Sequence, residues 1–285
     1  MSWVSFKMKI GAIIQARTSS SRLPRKVLKS LPFDSDISVL QQVIRRVSKS
    51  KLVDEVIVAT SINNEDLEIV NVAKKENVPY YCGSLNNVLE RYYNAAVQND
   101  LDVVVRITSD CPCVDSNVID KVVQNHLDLN ADYTSNSLKE SFPRGIDVEV
   151  INFDVLKRVY VEASYNYEKE HVTPFIYKSH PDEFNINSYF ENDDYSNIRI
   201  TLDTPQDYSL LCCVYDNLYY ENNFFTLEDI LDLFNKKPWI MSINEDIIQK
   251  KVCSTLSEEL EEVIHLCDVQ DLDKAKKFIE NHFGV

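Results

Sequence analysis

Short apolar runs alternate with helix-like stretches along the first 110 residues, and this alternation limits the possible folds more than any other feature. The apolar runs, which predict strands, lie at residues 10–14, 55–60, 78–82 and 103–107. Apolar residues at helical spacing lie between them, at residues 39–47, 67–73 and 88–99. Few polar positions interrupt the strand-like runs, as is typical of strands buried on both faces. We therefore expect α/β architecture with a mostly parallel sheet and helices on both faces.

The loop after the first run concentrates positive charge. Residues 15–27, QARTSSSRLPRKV, contain Arg17, Arg22, Arg25 and Lys26. Guanidinium groups match phosphate oxygens bidentately, and backbone N–H groups of a serine-rich loop can donate to the same anion. Because loops after strands lie at the carboxyl edge of an α/β sheet, where ligands bind, the pattern predicts an anion site. The alternative is a solvated basic loop on an acidic protein.

Charge and composition restrict the function classes. The chain has 285 residues, of which 44% are apolar, enough for one large domain or a domain with an appendage. Its formal net charge of −15 argues against a nucleic-acid partner, because duplex binding requires a basic face. The basic loop therefore suits a small phosphorylated ligand. Since no apolar stretch approaches twenty residues, we expect a cytoplasmic protein without membrane association.

The cysteines do not have the spacing of a metal site. Cys111 and Cys113 form a C-x-C pair with no second pair to complete a zinc site. Free thiols in a reducing cytoplasm are the expected state. The full set is Cys82, Cys111, Cys113, Cys212, Cys213, Cys253 and Cys267.

Two aspartates follow strand-like segments. Asp110 comes after the run at 103–107, and Asp203 comes after RITL at 199–202. Both would reach the edge of the sheet where the basic loop lies. Carboxylates there can hold Mg²⁺, which prefers one or two carboxylates together with phosphates and waters. A turn-forming or helix-capping aspartate would look the same locally.

Two further segments contain polar side chains that could bind a second substrate. In RGIDVEV, residues 144–150, polar and apolar residues alternate, so Asp147 and Glu149 would share one exposed face of a strand. A half-buried antiparallel strand shows the same alternation without any ligand. In EKEHVTPFIY, residues 168–177, His171 could contact a substrate or pack against Tyr177. Glu170 and His171 are adjacent on a helix and do not form a dyad.

Three long motifs, in order, resemble those of the CMP-sugar synthetase-like cytidylyltransferases, in the branch of spore coat polysaccharide biosynthesis protein F. QARTSSSRLPRK is similar to Q-A-R-x-G-S-x-R-L-P-G-K, RITSDCP to R-I-T-x-D-C-P, and RITLDTPQD to R-x-T-V-D-T-P-E-D. Shorter matches are GSLNNVLERY, RGIDVE and EHVTPFIY. The chain departs from the family at Ser19 and Arg25, where the family has glycine, and at Asn87, where it has aspartate.

The resemblance implies a Rossmann-like, GT-A-like nucleotidyltransferase domain at residues 8–244. Two amphipathic stretches, 256–267 and 272–283, predict a helical C-terminal extension at 245–285. The implied activity is transfer of CMP from CTP to an acidic sugar or a phosphorylated or phosphonate acceptor, with release of pyrophosphate. Such a reaction serves surface polysaccharide or glycoconjugate synthesis. The implied partners are CTP, Mg²⁺ and a small anionic acceptor, and a homodimer is possible.

The resemblance also assigns roles to residues. Arg17, Arg22 and Lys26 would offset charge on the triphosphate, and Asp110 and Asp203 would hold Mg²⁺. The implied nucleotide contacts are Gln15, Ala16, Arg17, Ser84, Arg91, Arg106 and Ser109. The implied acceptor contacts are Arg144, Asp147, Glu149 and His171. Without the resemblance, residues 84–92 predict only an amphipathic helix capped by Ser84 or Asn86, with Arg91 in solvent.

Two other functions are compatible with this pattern. A sugar-nucleotide-dependent glycosyltransferase usually has a D-x-D pair after a strand, but Asp100-Leu101-Asp102 precedes the run at 103–107. A non-catalytic scaffold that has kept the fold is supported only by the three departures from the motifs. The intact aspartates Asp110 and Asp203 argue against it.

Overall fold

The computed structural model describes residues 7–247 and 255–283. The chain divides into two compact units, Met1–Glu245 and Asp246–Val285. Six cysteines lie in the described part and are free thiols, as expected, while Cys253 lies outside it.

The described part of the first unit contains seven strands and eight α-helices. The strands are β1 Ile10–Gln15, β2 Glu55–Ser61, β3 Tyr80–Gly83, β4 Val103–Thr108, β5 Tyr133–Ser135, β6 Glu149–Asn152 and β7 Ile186–Ser188. The helices are α1 Val39–Val47, α2 Leu67–Lys75, α3 Val88–Gln98, α4 Ser116–Asp128, α5 Phe153–Glu162, α6 Asn166–His171, α7 Pro205–Leu218 and α8 Leu227–Lys236. Every strand and helix predicted in the first 110 residues is confirmed, with ends that differ by at most a few residues.

The sheet has the order β3-β2-β1-β4-β6-β5-β7. Only β6 runs against the others, pairing antiparallel with both β4 and β5. The chain builds outward from β1 through β2 to β3, then returns to place β4 on the other side of β1. In open α/β sheets the crevice at such a reversal, outside the carboxyl ends of the strands, is where ligands bind. The end of β1 and the end of β4 therefore mark the place to look for a site.

The core lies on both faces of the sheet. Ala12 and Ile14 of β1 point to one face and pack with apolar residues of α1, α4, α7 and α8. Ile13, between them in sequence, points to the other face and packs with α3 and α5. This alternation along one buried strand confirms the predicted mostly parallel sheet covered by helices on both sides.

The alternating stretch at 144–150 is shorter as a strand than predicted, because β6 begins only at Glu149. Gly145, just before it, has a φ of +109°, and a Cβ at this position would lie 2.7 Å from the carbonyl carbon of Ile200. The two backbones are therefore in close contact. The N–H of Arg144 donates to the carbonyl of Ile198 at 2.9 Å, and the N–H of Ile200 donates to the carbonyl of Arg144 at 2.8 Å.

The segment that leads to Asp203 is not a member of the sheet, so the predicted strand at 199–202 is wrong. It is an extended segment joined to Arg144 through a single isolated bridge at Arg199. Membership of the sheet depends on hydrogen-bonding neighbours, which the local pattern does not specify.

Replacing Gly145 by alanine is expected to lower the free energy of unfolding by about 2 kcal/mol, because the left-handed backbone and the close approach to Ile200 both disfavour a Cβ. Urea denaturation followed by circular dichroism measures this loss. Gly83→Ala is the control, because a Cβ there would meet mainly side-chain atoms of Glu90 and Tyr81. Equal losses in the two variants would contradict the role given to the backbone contact.

The second unit contains, in its described part, the two helices that the amphipathic stretches predicted. They are α9 Leu256–Val269 and α10 Asp273–Phe283. The ammonium group of Lys276 lies 2.7 Å from a carboxylate oxygen of Asp268, which links the two helices. Across the described residues of the chain, no helix is both long enough and apolar enough to cross a membrane.

Candidate active site

The basic loop begins where β1 ends and is anchored by a buried aspartate. The N–H and the hydroxyl of Thr18 both donate to Oδ1 of Asp66, each at 2.7 Å. The N–H of Arg25 then donates to the carbonyl of Thr18 at 3.0 Å, which closes the loop. Asp66 is only 2% exposed. Sequence reasoning missed this residue, since an aspartate before a helix resembles an ordinary first-turn residue.

Lys26 lies between the two aspartates that were predicted to hold a metal. Its Nζ is 2.7 Å from Oδ2 of Asp110 and 2.8 Å from Oδ1 of Asp203. The other oxygen of Asp203 lies 3.2 Å from Nη2 of Arg22 and accepts a hydrogen bond from Arg199 at 3.1 Å. The structure therefore brings together four of the predicted catalytic residues, with Arg199 as an additional cation.

Backbone hydrogen bonds explain why Asp110 and Asp203 meet. The N–H of Leu202 donates to the carbonyl of Asp110 at 2.8 Å, and the hydroxyl of Thr201 donates to the same oxygen at 3.2 Å. Helix α7 then begins with Thr204 as its N-cap, so Asp203 is not a capping residue. Its carboxylate remains available to face Lys26.

The charge state of this cluster follows from its contacts. Burial alone would raise the pKa of Asp110, but the charge and hydrogen bond of Lys26 outweigh burial and lower the pKa to about 2. Burial likewise opposes the charged form of Lys26, but the two carboxylates raise its pKa above the usual value. The pKa of Asp110 is lower in the folded protein than in the unfolded chain, so its ionised form stabilises the fold at pH values above the unfolded-state pKa. This stability is lost as the pH falls toward 2. Asp110 and Lys26 are thus both charged at neutral pH.

The two carboxylates fit a divalent cation because they converge on one position that is already occupied by positive charge. Mg²⁺ accepts one or two carboxylates and takes its other ligands from phosphates and water. Among the residues that the structure describes, no group of three or more histidine, cysteine, aspartate or glutamate side chains could hold a metal. Phosphate oxygens and water would have to complete the coordination of any ion held by Asp110 and Asp203.

Arg91 is buried, and the prediction that it lies in solvent is wrong. It is 1% exposed, and its Nε and Nη1 make no hydrogen bond. Burial lowers its pKa. The N-cap of α3 is Asn87, which accepts from the N–H of Glu90 at 3.0 Å, so the prediction of Ser84 or Asn86 as the cap is also wrong. Buried donors without partners are rare in native proteins, so the guanidinium group of Arg91 is a candidate anion ligand.

Glu149 does not lie on an exposed face, so that prediction is wrong. It lies opposite Arg106 in the register of β4 and β6 and forms a buried ion pair with it. Its Oε1 also accepts from the hydroxyl of Tyr133 at 2.5 Å and from the hydroxyl of Thr173 at 2.7 Å. Arg106 in turn donates to the side-chain oxygen of Gln15 at 3.2 Å. Glu149 therefore holds Arg106 and, through it, orients Gln15 at the end of β1.

Thr173 reaches Glu149 because the backbone before it is strained. Val172 has a φ of 73° and a ψ of −59°, a conformation that is unfavourable for a β-branched residue. The N–H of Thr173 donates to the carbonyl of His171 at 2.9 Å, which closes the tight turn. Nothing in the local sequence separates Thr173 or Tyr133 from ordinary core residues, and sequence reasoning missed both.

The remaining predicted acceptor residues lie near these groups. Asp147 precedes β6, its carboxylate lies 3.8 Å from Nε of Arg144, and burial raises its pKa. His171 is the last residue of α6, and burial lowers its pKa. Glu170, beside it, lies 3.8 Å from Nη2 of Arg17, which brings the end of α6 close to the basic loop.

The other predicted nucleotide contacts lie at the same edge of the sheet. The N–H of Ser109 donates to the carbonyl of Gln15 at 3.2 Å, and the N–H of Ala16 donates to the carbonyl of Ala59 at 3.0 Å. Ser84 directly follows β3. By contrast, Asp102 accepts from the N–H of Lys9 at 2.7 Å before β4 begins, at the opposite edge. The D-x-D sequence is therefore outside the site.

Arg25 stands where the resembling family has glycine, and it keeps a glycine-like backbone. Its φ is 57° and its ψ is 26°, in the left-handed region. Its side chain forms a surface ion pair with Glu68 at 2.6 Å. Arg25 therefore adopts a conformation that is unfavourable for a residue with a side chain.

Replacing Arg25 by glycine is expected to raise the thermal-unfolding midpoint by ~2 °C, because the left-handed strain is relieved while an exposed ion pair contributes little. Differential scanning calorimetry measures the shift. Arg25→Ala is the matched control, since it loses the same ion pair but keeps a Cβ in the left-handed conformation. The interpretation is wrong if alanine stabilises the protein as much as glycine.

The chain is similar to known proteins in sequence. A family model described as Cytidylyltransferase matches residues 11–278, which extends past the sequence motifs into α9 and α10. An uncharacterized protein of Methanocaldococcus jannaschii is 39% identical over 246 residues, covering 85% of this chain and 97% of that protein. The spore coat polysaccharide biosynthesis protein SpsF of Bacillus subtilis is 30% identical over 233 residues, covering 79% of this chain and 94% of SpsF.

A solved structure extends the comparison to three dimensions. The cytidylyltransferase from Leptospira borgpetersenii serovar Hardjo-bovis superposes with a TM-score of 0.78 at 31% sequence identity, covering 86% of this chain and all of that one. The likeness therefore holds in both sequence and structure over most of the chain. On these grounds the chain belongs to the cytidylyltransferase family and is a CTP-dependent nucleotidyltransferase.

Proposed function

We propose that this protein transfers CMP from CTP to an acidic sugar or to a phosphorylated or phosphonate acceptor, with release of pyrophosphate. The reaction would serve the synthesis of a surface polysaccharide or glycoconjugate. The observation that carries the proposal is the contact of Lys26 with both Asp110 and Asp203 at the point where the strand order reverses. Family membership supports CTP as the substrate, and the name of the Bacillus subtilis relative supports the polysaccharide role.

Electrostatics would dominate the chemistry. An oxygen of the acceptor attacks the α-phosphorus in line and pyrophosphate leaves, so no covalent enzyme intermediate is needed. Arg17, Arg22 and Lys26 offset the charge of the triphosphate and of the leaving group. When bound by Asp110 and Asp203, Mg²⁺ would supply further charge neutralisation at the phosphate oxygens.

Nucleotide binding would involve the ends of β1, β3 and β4. Arginine only donates hydrogen bonds, so Gln15 must offer its oxygen to Arg106 and keep its amide N–H groups for a ligand. The free donors of Arg91 would bind an anionic or carbonyl oxygen of the nucleotide. Ala16, Ser84 and Ser109 would contribute short contacts along the same edge. These roles follow the family resemblance and the position of each residue.

Acceptor binding would involve Arg144, Asp147 and His171. Arg144 offers positive charge to an anionic acceptor, with its guanidinium group half exposed beside Asp147. Because burial lowers the pKa of His171, its imidazole is neutral at physiological pH and can accept a proton from an attacking hydroxyl. Glu149 would act indirectly: it supports Arg106 from the buried side and would not contact the acceptor itself.

Pyrophosphate release tests the proposal. The purified protein is incubated with Mg²⁺, each of the four ribonucleoside triphosphates, and separate pools of nonulosonic acids, sugar phosphates, polyol phosphates and phosphonates. We expect release with CTP alone and with one pool, whose subdivision identifies the acceptor. If no pool gives release, binding of Mg²⁺-CTP is measured in the same samples, and absence of binding would refute the proposed function.

A further inference from the structure

We propose that Lys26 is the resident counter-ion of the metal position, so that a divalent cation enters the site only together with the triphosphate. This inference rests on the proposed function, because it takes the triphosphate as the group to which Lys26 moves. It concerns the order in which substrates bind rather than the transfer reaction itself. Four features of the cluster carry it: its charge balance, its geometry, its burial and the position of Lys26 in the chain.

The charges of the cluster are balanced without a metal. Three cationic side chains face three carboxylates in one network, formed by Lys26, Arg22 and Arg199 with Asp110, Asp203 and Asp207. Among the described residues of this network, each carboxylate has a cationic partner. Carboxylate sites that bind a metal ion directly carry an excess of negative charge. This cluster does not, so it should bind a divalent cation weakly in the absence of a nucleotide.

The ammonium group and a metal cannot occupy the site at once. Nζ of Lys26 lies 2.7 Å from Asp110 and 2.8 Å from Asp203, so it fills the position where the two carboxylates converge. A Mg²⁺ ion bound to both oxygens would need to approach each to about 2.1 Å, within the same volume. Entry of the ion therefore requires that Lys26 leave.

The displaced lysine needs another anion. The Lys26 side chain is 13% exposed, and an ammonium group that loses both partners in such a place is strongly destabilised. Lys26 follows directly after Arg25, in the loop that carries Arg17 and Arg22, so its ammonium group can turn toward a triphosphate held by that loop. The triphosphate would thus free the carboxylates for the metal, and the metal would free Lys26 for the triphosphate. Such mutual dependence is positive coupling between two ligands.

Binding of Mn²⁺, followed by the electron paramagnetic resonance signal of the free ion, tests this inference. We expect weak binding to the wild-type protein alone and at least about tenfold tighter binding when CTP is added without acceptor, after subtraction of the Mn²⁺ that CTP binds in a protein-free control. Lys26→Met should bind Mn²⁺ at least about tenfold more tightly than wild type without nucleotide, because Asp110 loses its ammonium partner and the position between the two carboxylates loses its positive charge. Lys75→Met removes one positive charge from an exposed position on α2 without touching either carboxylate, and should bind Mn²⁺ as wild type does.

The outcomes separate this inference from the proposed function. Equal Mn²⁺ affinity of nucleotide-free wild type and folded Lys26→Met would overturn the counter-ion role, even if CTP binds. Tighter Mn²⁺ binding to Lys26→Met supports that role whether or not the protein binds CTP. Absence of CTP binding would refute only the proposed function. Lys26→Gln is measured as well, in case the methionine variant does not fold. Glutamine removes the charge but keeps an amide that can donate to a carboxylate. A gain of Mn²⁺ affinity in the glutamine variant supports the inference, and no gain overturns it.

Discussion

Asp110→Asn is expected to lower kcat/KM for CTP by about a thousandfold, because in the proposed reaction it removes a carboxylate charge that would hold Mg²⁺ beside the reacting phosphates. The carboxylate is held ionised at neutral pH by Lys26. An amide is nearly the same size, so the fold should survive while the charge is lost. The rate of pyrophosphate release, measured with saturating Mg²⁺ and the acceptor found in the pools, gives the value.

Asp100→Asn is the matched control for this experiment. Asp100 is exposed, lies before β4 at the opposite edge of the sheet, and has a φ of 50°, which asparagine tolerates as well as aspartate. The control should therefore retain wild-type activity. Wild-type activity in a folded Asp110→Asn protein would contradict the site described above.

Arg91→Met is expected to stabilise the free protein while weakening CTP binding. Two guanidinium nitrogens of Arg91 are buried without partners, so removal of the charge should raise the free energy of unfolding by about 1–3 kcal/mol. The dissociation constant for CTP should rise by about fiftyfold, because charge-assisted hydrogen bonds to the nucleotide are lost. Chemical denaturation and isothermal titration calorimetry measure the two effects separately.

Arg46→Met should have the opposite effect on the free energy of unfolding. Arg46 is also buried, at 3% exposure, but it donates to the carbonyls of Val114 at 2.8 Å and Phe225 at 2.6 Å. Its loss leaves these oxygens without a donor and should destabilise the protein. If Arg91→Met were instead destabilising and CTP affinity stayed unchanged, Arg91 would be a packing residue and its assignment to the nucleotide would be withdrawn.

The parts of the fold that could be predicted depend on local pattern. Continuous apolar runs specified β1, β2 and β4 because a strand buried on both faces needs little else to be recognised. The position of Asp110 followed from β4, since a residue just after a parallel strand must lie at its carboxyl edge. The basic loop was located in the same way, directly after β1.

The errors arose where distant residues decide the outcome. Glu149 looked like an exposed carboxylate until the register of β6 placed Arg106 opposite it. Helical spacing alone placed Arg91 on the solvated face of an amphipathic helix, but the side chain is buried. The segment before Asp203 looked like a strand, yet its hydrogen-bonding partners are Arg144 and Asp110 rather than a neighbouring strand. Sequence periodicity carries no information about such partners.

In the proposed reaction, the hydrogen bond from Leu202 to Asp110 would tie catalytic competence to the completion of folding. Lys26 and Asp203 are separated by 177 positions in the sequence. During synthesis, strands β1 to β4 and the basic loop emerge from the ribosome long before residue 203. A chain that ends before residue 203 would therefore carry the basic loop but lack Asp203. If Asp203 holds the metal, turnover would begin only when the segment before it joins Asp110, and activity would then report that the first unit is complete.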